Sequence, residues 1–380
     1  MALTSSPVAP FLARSGIFVV ASLLLAACSS PPPKRSANPI AKTPAVSTQP
    51  GRPTVSSRAR IVPPPEVGRP ANPADLAAAR EKGWIWMVDK LAADGISRDR
   101  AARAFADPRM PAFDAGGLMF GLNPRESHFM YRNFLKANSV AQAERCAEAH
   151  APELVRAQKI HGVDASVVAA IMHVETHCGR NVGNTMVLHR LARLAMANEP
   201  LNVARNLARN TGKDGRIDPE LAERVRSRAR YLEGIFYPQV VATFEIARQQ
   251  RIDPVTIRGS GAGAFGYVQF LPMNFVAFGT DGDNDGRVSL FEPADAAASC
   301  ARFLASYGWK PGISAEKRRQ IIWHYNRSDA YIDTVLGLAD RIDASGVLAA
   351  AYKQKPEATE ARVLPVSVPD VRSGPEIEHP

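Results

Sequence analysis

The chain has 380 residues, 46% of them hydrophobic and 22% charged. That balance excludes a wholly disordered protein and, at roughly 150 residues per domain, leaves room for two or three domains. The formal charge is +10, but residues 29–75 carry half of it and the stretch 76–350 is only +5, which suits an anionic polymer as partner and does not call for nucleic acid.

At the N-terminus, Arg14 precedes a 12-residue apolar run from Gly16 to Ala27. This is the length of a signal-peptide core and too short to span a bilayer; nothing later reaches the roughly 18 apolar residues a spanning helix needs. The run ends in Leu25-Ala26-Ala27-Cys28, which resembles the lipobox of bacterial lipoproteins. The resemblance implies cleavage before Cys28 and acylation of that cysteine, a stable anchor at about 0.8 kcal/mol per buried CH₂. By the same resemblance, the neutral Ser29 implies the outer membrane, with the protein facing the periplasm. Residues 29–75 hold 12 of the 30 prolines and read as an extended tether. The expected organisation is a signal peptide (1–27), a lipidated Cys28 with its tether (28–75), a folded domain (76–348) and a Pro-rich tail (349–380).

Helical spacing of apolar residues runs over 76–92, 98–106, 140–161, 165–177, 184–197, 219–233, 237–251, 293–307, 315–325 and 329–344. Strand signals are few and short, and no repeat is present. The expected fold is mainly α.

The segment 164–179 reads DASVVAAIMHVETHCG. Asp164 is a good N-cap and Gly179 a good terminator. Val168, Ile171 and Glu175 share one stripe at i, i+3, i+7, so the pattern puts a carboxylate on the apolar face of the last turn. Desolvation and the negative end of the helix dipole both raise its pKa, as a general acid requires. His173 and His177 stand at a metal-ligand spacing beside Cys178, but the order is HxExH rather than HExxH. Glu175 lies roughly 200° round the helix from each histidine, and the metal reading is set aside.

Residues 259–272, GSGAGAFGYVQFLP, fit GxGxxG by letter at Gly261, Gly263 and Gly266. A charged helical segment precedes them where a dinucleotide fold needs a strand, and Pro272 follows, so that reading is rejected. The glycines allow close approach of backbone to a ligand, and Ser260 and Gln269 offer groups that bond sugar hydroxyls or N-acetyl groups. Residues 281–292, DGDNDGRVSLFE, form a complete 12-residue EF-hand loop. Asp281, Asp283 and Asp285 fill positions 1, 3 and 5, Gly286 makes the turn, Arg287 offers its carbonyl, Ser289 acts at position 9, and Glu292 is the bidentate ligand. A single loop of this kind predicts one structural Ca²⁺.

Taken in order, four stretches resemble the lytic murein transglycosylase B family over about 76–345: VETHCGRNVGNTMVLHRLARLA, GSGAGAFGYVQFLP, the EF-hand loop with FEPADA, and YNRSDAYIDTVLGLADRI. The resemblance implies a lysozyme-like α+β core with an additional helical domain and a single EF-hand-like calcium loop. It implies Glu175 as catalytic acid and base. Ser260, Gln269 and Phe270 would line sugar subsites, Tyr325 and Asn326 would stand near the scissile bond, and Tyr331 would be a later aromatic of the site. The substrate implied is the peptidoglycan glycan strand, with no organic cofactor. A hydrolytic muramidase and a non-enzymatic wall-binding lipoprotein are the alternatives. A Cys146–Cys178 disulfide is expected in the oxidising periplasm, with Cys300 as the other partner either could take. There is no CxxC pair, so neither a zinc ribbon nor a thioredoxin-type site is expected.

Overall fold

The computed structural model describes residues 70–114, 131–212 and 215–353. The expected signal peptide, the expected lipidation site Cys28, most of the expected tether and nearly all of the expected tail lie outside the described residues.

The described chain opens with α1 (Pro73–Glu81), α2 (Ile85–Ala93) and α3 (Arg98–Ala106). Sequence spacing predicts one helix over 76–92. Gly83, at φ +80°, divides it, because a left-handed residue ends the helical hydrogen-bond ladder. Trp84 is thereby buried between the Phe105 and Phe113 rings and donates its ring N–H to the Pro111 carbonyl at 2.8 Å.

The expected helix over 140–161 is likewise two, α4 (Ala137–Ala149) and α5 (Ala151–His161). Pro152 has no N–H to extend α4, and in the first turn of α5 it needs none. Next comes α6 (Ala165–Thr176), every residue of which is buried. Asp164 does not cap it. Asp164 faces Arg318 at 3.2 Å, and the Ala165 N–H donates to Gln158 Oε1 at 2.7 Å. Helices α4 and α5 pack against α6.

β1 (Thr185–Met186) leads into α7 (Val187–Ala195), a 3-10 turn, α8 (Pro200–Arg209) and α9 (Pro219–Gln249). Sequence spacing gives no sign of α8, because its buried positions include Asn202 and Asn206, which break the apolar period. Glu199 starts it by accepting from the Asn202 N–H at 2.7 Å. The two helices expected over 219–251 are one, running through Pro238 for 31 residues. An internal proline costs about 3 kcal/mol. Burial of Leu232, Phe236, Val240 and Phe244, at roughly 1.5–3 kcal/mol each, outweighs it.

β2 (Arg258–Gly259) pairs antiparallel with β1, Thr185 opposite Gly259, and ties the glycine-rich loop to the start of α7. The chain continues through α10 (Pro272–Phe278), α11 (Pro293–Ser306), α12 (Ala315–Tyr325), α13 (Asp329–Ser345) and α14 (Ala349–Lys353). Helices α11 and α13 also pack against α6. One buried apolar cluster takes in residues from Ala79 to Ala351, with α6 inside it.

Candidate active site

Glu175 stands in the last turn of α6 and is 5% exposed. Burial strips a carboxylate of its hydration, and the pKa of Glu175 is pushed up to about 7. The Tyr331 hydroxyl donates to Oε1 at 2.8 Å and acts the other way, favouring the charged form. Burial dominates. No other carboxylate among the described residues contributes to the shift. The expected stripe through Val168 and Ile171 is part of a helix buried on all sides; its central place in the core, not an amphipathic face, desolvates Glu175.

Tyr331 is placed by the corner between α12 and α13. Asn326 leaves helical backbone at φ −146°. Ser328 then caps α13 by accepting from the Tyr331 N–H at 3.1 Å. The Tyr331 ring lies parallel to that of Tyr325 at 6.3 Å and meets Tyr131 edge-on at 5.8 Å. The Tyr325 hydroxyl donates to the Val268 carbonyl, which joins this corner to the glycine-rich loop. Phe270 packs 6.0 Å from the Tyr325 ring. Burial raises both phenol pKa values, and the charge of Glu175 raises them further, so both hydroxyls stay protonated while Glu175 titrates.

The loop's polar groups are mostly spent on the loop itself. Ser260 Oγ donates to the Ala264 carbonyl at 3.2 Å. Gln269 sits at φ +46° and donates from Nε2 to the Gly266 carbonyl at 2.9 Å and the Val182 carbonyl at 3.2 Å. Its Oε1 is buried without a hydrogen-bond partner. The glycines serve the protein rather than a ligand. A Cβ on Gly263 would meet the Leu191 side chain at 2.5 Å, and one on Gly266 would meet Leu290 at 2.3 Å. Gly261 alone of the three faces open space.

The acidic loop assembles differently from its sequence reading. The carboxylates brought within 4.8 Å of one another are those of Asp281, Asp283 and Asp295. Glu292, the expected bidentate ligand, is exposed and stands at the N-cap of α11; Asp285 is also outside the group. Asp281 accepts from the N–H groups of Asn284 at 2.6 Å and Gly286 at 2.9 Å. Asp285 accepts from the Arg287 N–H at 2.7 Å. Asp295 accepts from the N–H groups of Gly282 at 2.7 Å and Ser289 at 2.6 Å. Burial and the two neighbouring charges push its pKa up to about 6. A cation among the three would relieve that repulsion, so the donor set fits one. The loop also supports the site: the Tyr267 N–H donates to the Leu290 carbonyl at 2.8 Å, one residue before Val268.

Sequence reasoning missed Tyr131 and Asp295. Asp295 lies in FEPADA, a stretch visible but without an assigned ligand, whereas Tyr131 has no signal in spacing or composition. A disulfide joins Cys146 on α4 to Cys178, with Cα atoms 6.0 Å apart, and Cys300 is a buried free thiol.

A family profile described as transglycosylase SLT domain matches residues 81–318. Over 159 residues the chain is 31% identical to the membrane-bound lytic murein transglycosylase B of Escherichia coli K12, covering 42% of this chain and 36% of that protein. The match thus spans about a third of that relative's length. The soluble lytic transglycosylase SltB1 of Pseudomonas aeruginosa superposes with a TM-score of 0.53 at 22% identity, covering 68% of this chain and 98% of that one. The Escherichia coli lytic transglycosylase Slt35, solved in complex with bulgecin A, gives 0.50 at 20% identity, covering 71% and 94%.

Proposed function

The chain belongs to the transglycosylase SLT domain family, and on that premise we propose that it is a peptidoglycan lytic transglycosylase. The observation that carries the reading is Glu175: buried, held by one tyrosine, with a pKa pushed up to about 7, the state a general acid needs. Hydrolytic glycosidases use two carboxylates, about 5–9.5 Å apart. One suffices when the nucleophile belongs to the substrate. Protonated Glu175 gives its proton to the glycosidic oxygen between N-acetylmuramic acid and N-acetylglucosamine. The resulting carboxylate takes the proton of the muramic C6 hydroxyl as that oxygen attacks C1. The C1–O bond to the leaving sugar breaks, a 1,6-anhydro ring closes, and no water is consumed. An intramolecular nucleophile gains effective concentration, so no bound water has to be activated.

In this reading Tyr331 holds the carboxylate in place, and Tyr325, Asn326 and Phe270 form the wall beside the oxocarbenium-like state. Gln269 offers its unpartnered Oε1 to a substrate N–H, and Ser260 shapes the loop that carries it. A Ca²⁺ ion held by Asp281, Asp283 and Asp295 would fix the acidic loop and, through Leu290, the backbone at Tyr267. Helices α1–α3, packed on one another, are our match for the additional helical domain. The name of the Escherichia coli relative includes membrane-bound, which supports a membrane attachment; we place it on Cys28 and in the outer membrane from the lipobox-like sequence. None of the described helices is long and apolar enough to cross a bilayer. The test is solubilisation of purified peptidoglycan with no matching rise in reducing ends. A stoichiometric rise would make the protein a hydrolase.

A further inference from the structure

Behind α6, on the far side from Glu175, lies a cavity of about 190 Å³. Its lining includes Arg145, Arg180, Gln142, His150, His173 and His177, with the Cys146–Cys178 disulfide in the wall. No carboxylate lines it. Neither arginine has an ion-pair partner among the described residues, and both are exposed. His177 Nδ1 is buried with no hydrogen-bond partner. The nearest acids along the chain, Glu144 and Glu148 on α4 and Glu153 on α5, stand outside the lining.

The backbone that builds this wall is strained. His177 at φ +49°, Cys178 at +62° and Gly179 at +77° are three successive left-handed residues, two of them with a Cβ. Such a turn persists only where its surroundings fix it. The disulfide holds Cys178, the His177 ring stacks on Phe134 at 5.4 Å, and Thr176 Oγ accepts from the Gly179 N–H at 2.9 Å. Together these aim the His177 ring and Arg180 at the cavity.

We propose that this cavity is a binding site for a small oxyanion, a carboxylate or a phosphate. Two guanidinium groups supply charge and forked donors, which suit carboxylate and phosphate oxygens, while Gln142 and the imidazoles supply neutral donors. Two sources offer the chemistry: free phosphate, and the carboxylates of the wall peptides, the second resting on the peptidoglycan reading above.

The experiment is the melting temperature of the full chain carrying Glu175→Gln, titrated at constant ionic strength. The probes are sodium phosphate, the peptide N-acetyl-L-alanyl-D-glutamate, and the same peptide with its carboxylates amidated. A probe that binds raises the melting temperature by about 3 °C at tenfold its Kd. Arg145→Gln with Arg180→Gln removes the rise, and Arg145→Lys with Arg180→Lys keeps part of it. A rise with phosphate alone identifies the free ion as occupant, and a rise with the free but not the amidated peptide identifies the wall peptide. No rise with any probe, or an equal rise in the double Gln variant, overturns the proposal. Because the readout is binding, it stands apart from the outcome of the digestion test.

Discussion

Tyr331 and Glu175, 156 positions apart in the sequence, are joined by one hydrogen bond of 2.8 Å in the core. Each fixes the other. The phenol orients the carboxylate and partly offsets the cost of burying its charge. Removing the hydroxyl with Tyr331→Phe takes away the interaction that lowers the pKa of Glu175, at about 1–1.5 kcal/mol. The alkaline limb of the pH–rate profile then moves upward by about one pH unit. An unmoved limb with a lower rate would assign Tyr331 to binding alone.

Glu175 also links pH to stability. Its folded pKa, about 7, exceeds its unfolded value, so the folded state binds the proton more tightly. The stability this gives is present in full below the unfolded pKa and is lost as pH rises through about 7. Glu175→Gln, which carries no charge, is therefore close to neutral at pH 4.5 and stabilising by about 3 kcal/mol at pH 8. Urea melts of both proteins at the two pH values measure the difference.

The acidic loop separates two ligand sets. Removing Ca²⁺ by chelation costs up to about 3 kcal/mol of stability relative to a hundredfold excess over Kd, and the melting temperature falls with it. Asp295→Asn abolishes the response to added Ca²⁺, and Glu292→Gln leaves it intact. The reverse order would restore the sequence-derived ligand set.

Opening the disulfide with Cys146→Ala and Cys178→Ala, a separation of 32 residues, costs about 3 kcal/mol of stability. Denaturant melts report the loss directly. A melt identical to wild type would show that the left-handed turn at His177 holds without the bond.

The legible parts of this molecule are those set by local rules. The spacing with Val168 and Ile171 rightly places Glu175 on a buried helix turn, though the burial comes from a helix enclosed on all sides, and the turns of the acidic loop follow from its Asp and Gly positions. The helix that carries Tyr331 is legible in the apolar spacing over 329–344, whereas its Ser328 cap is found only in the structure. What sequence could not give depends on the partners of each segment. Pro238 reads as a break until the burial of its neighbours is known. Gly263 and Gly266 read as room for a ligand until Leu191 and Leu290 are found against them. Glu292 fits its motif, yet Asp295, three residues on, turns inward because α11 starts between them and reorients the chain.

In the proposed mechanism Glu175 alone drives a cleavage that consumes no water. Mass spectrometry of fragments released from purified peptidoglycan tests it most directly. The expected products are one water lighter than their hydrolytic counterparts, with none from Glu175→Gln. Products of full hydrolytic mass, or undiminished release by the variant, would contradict it.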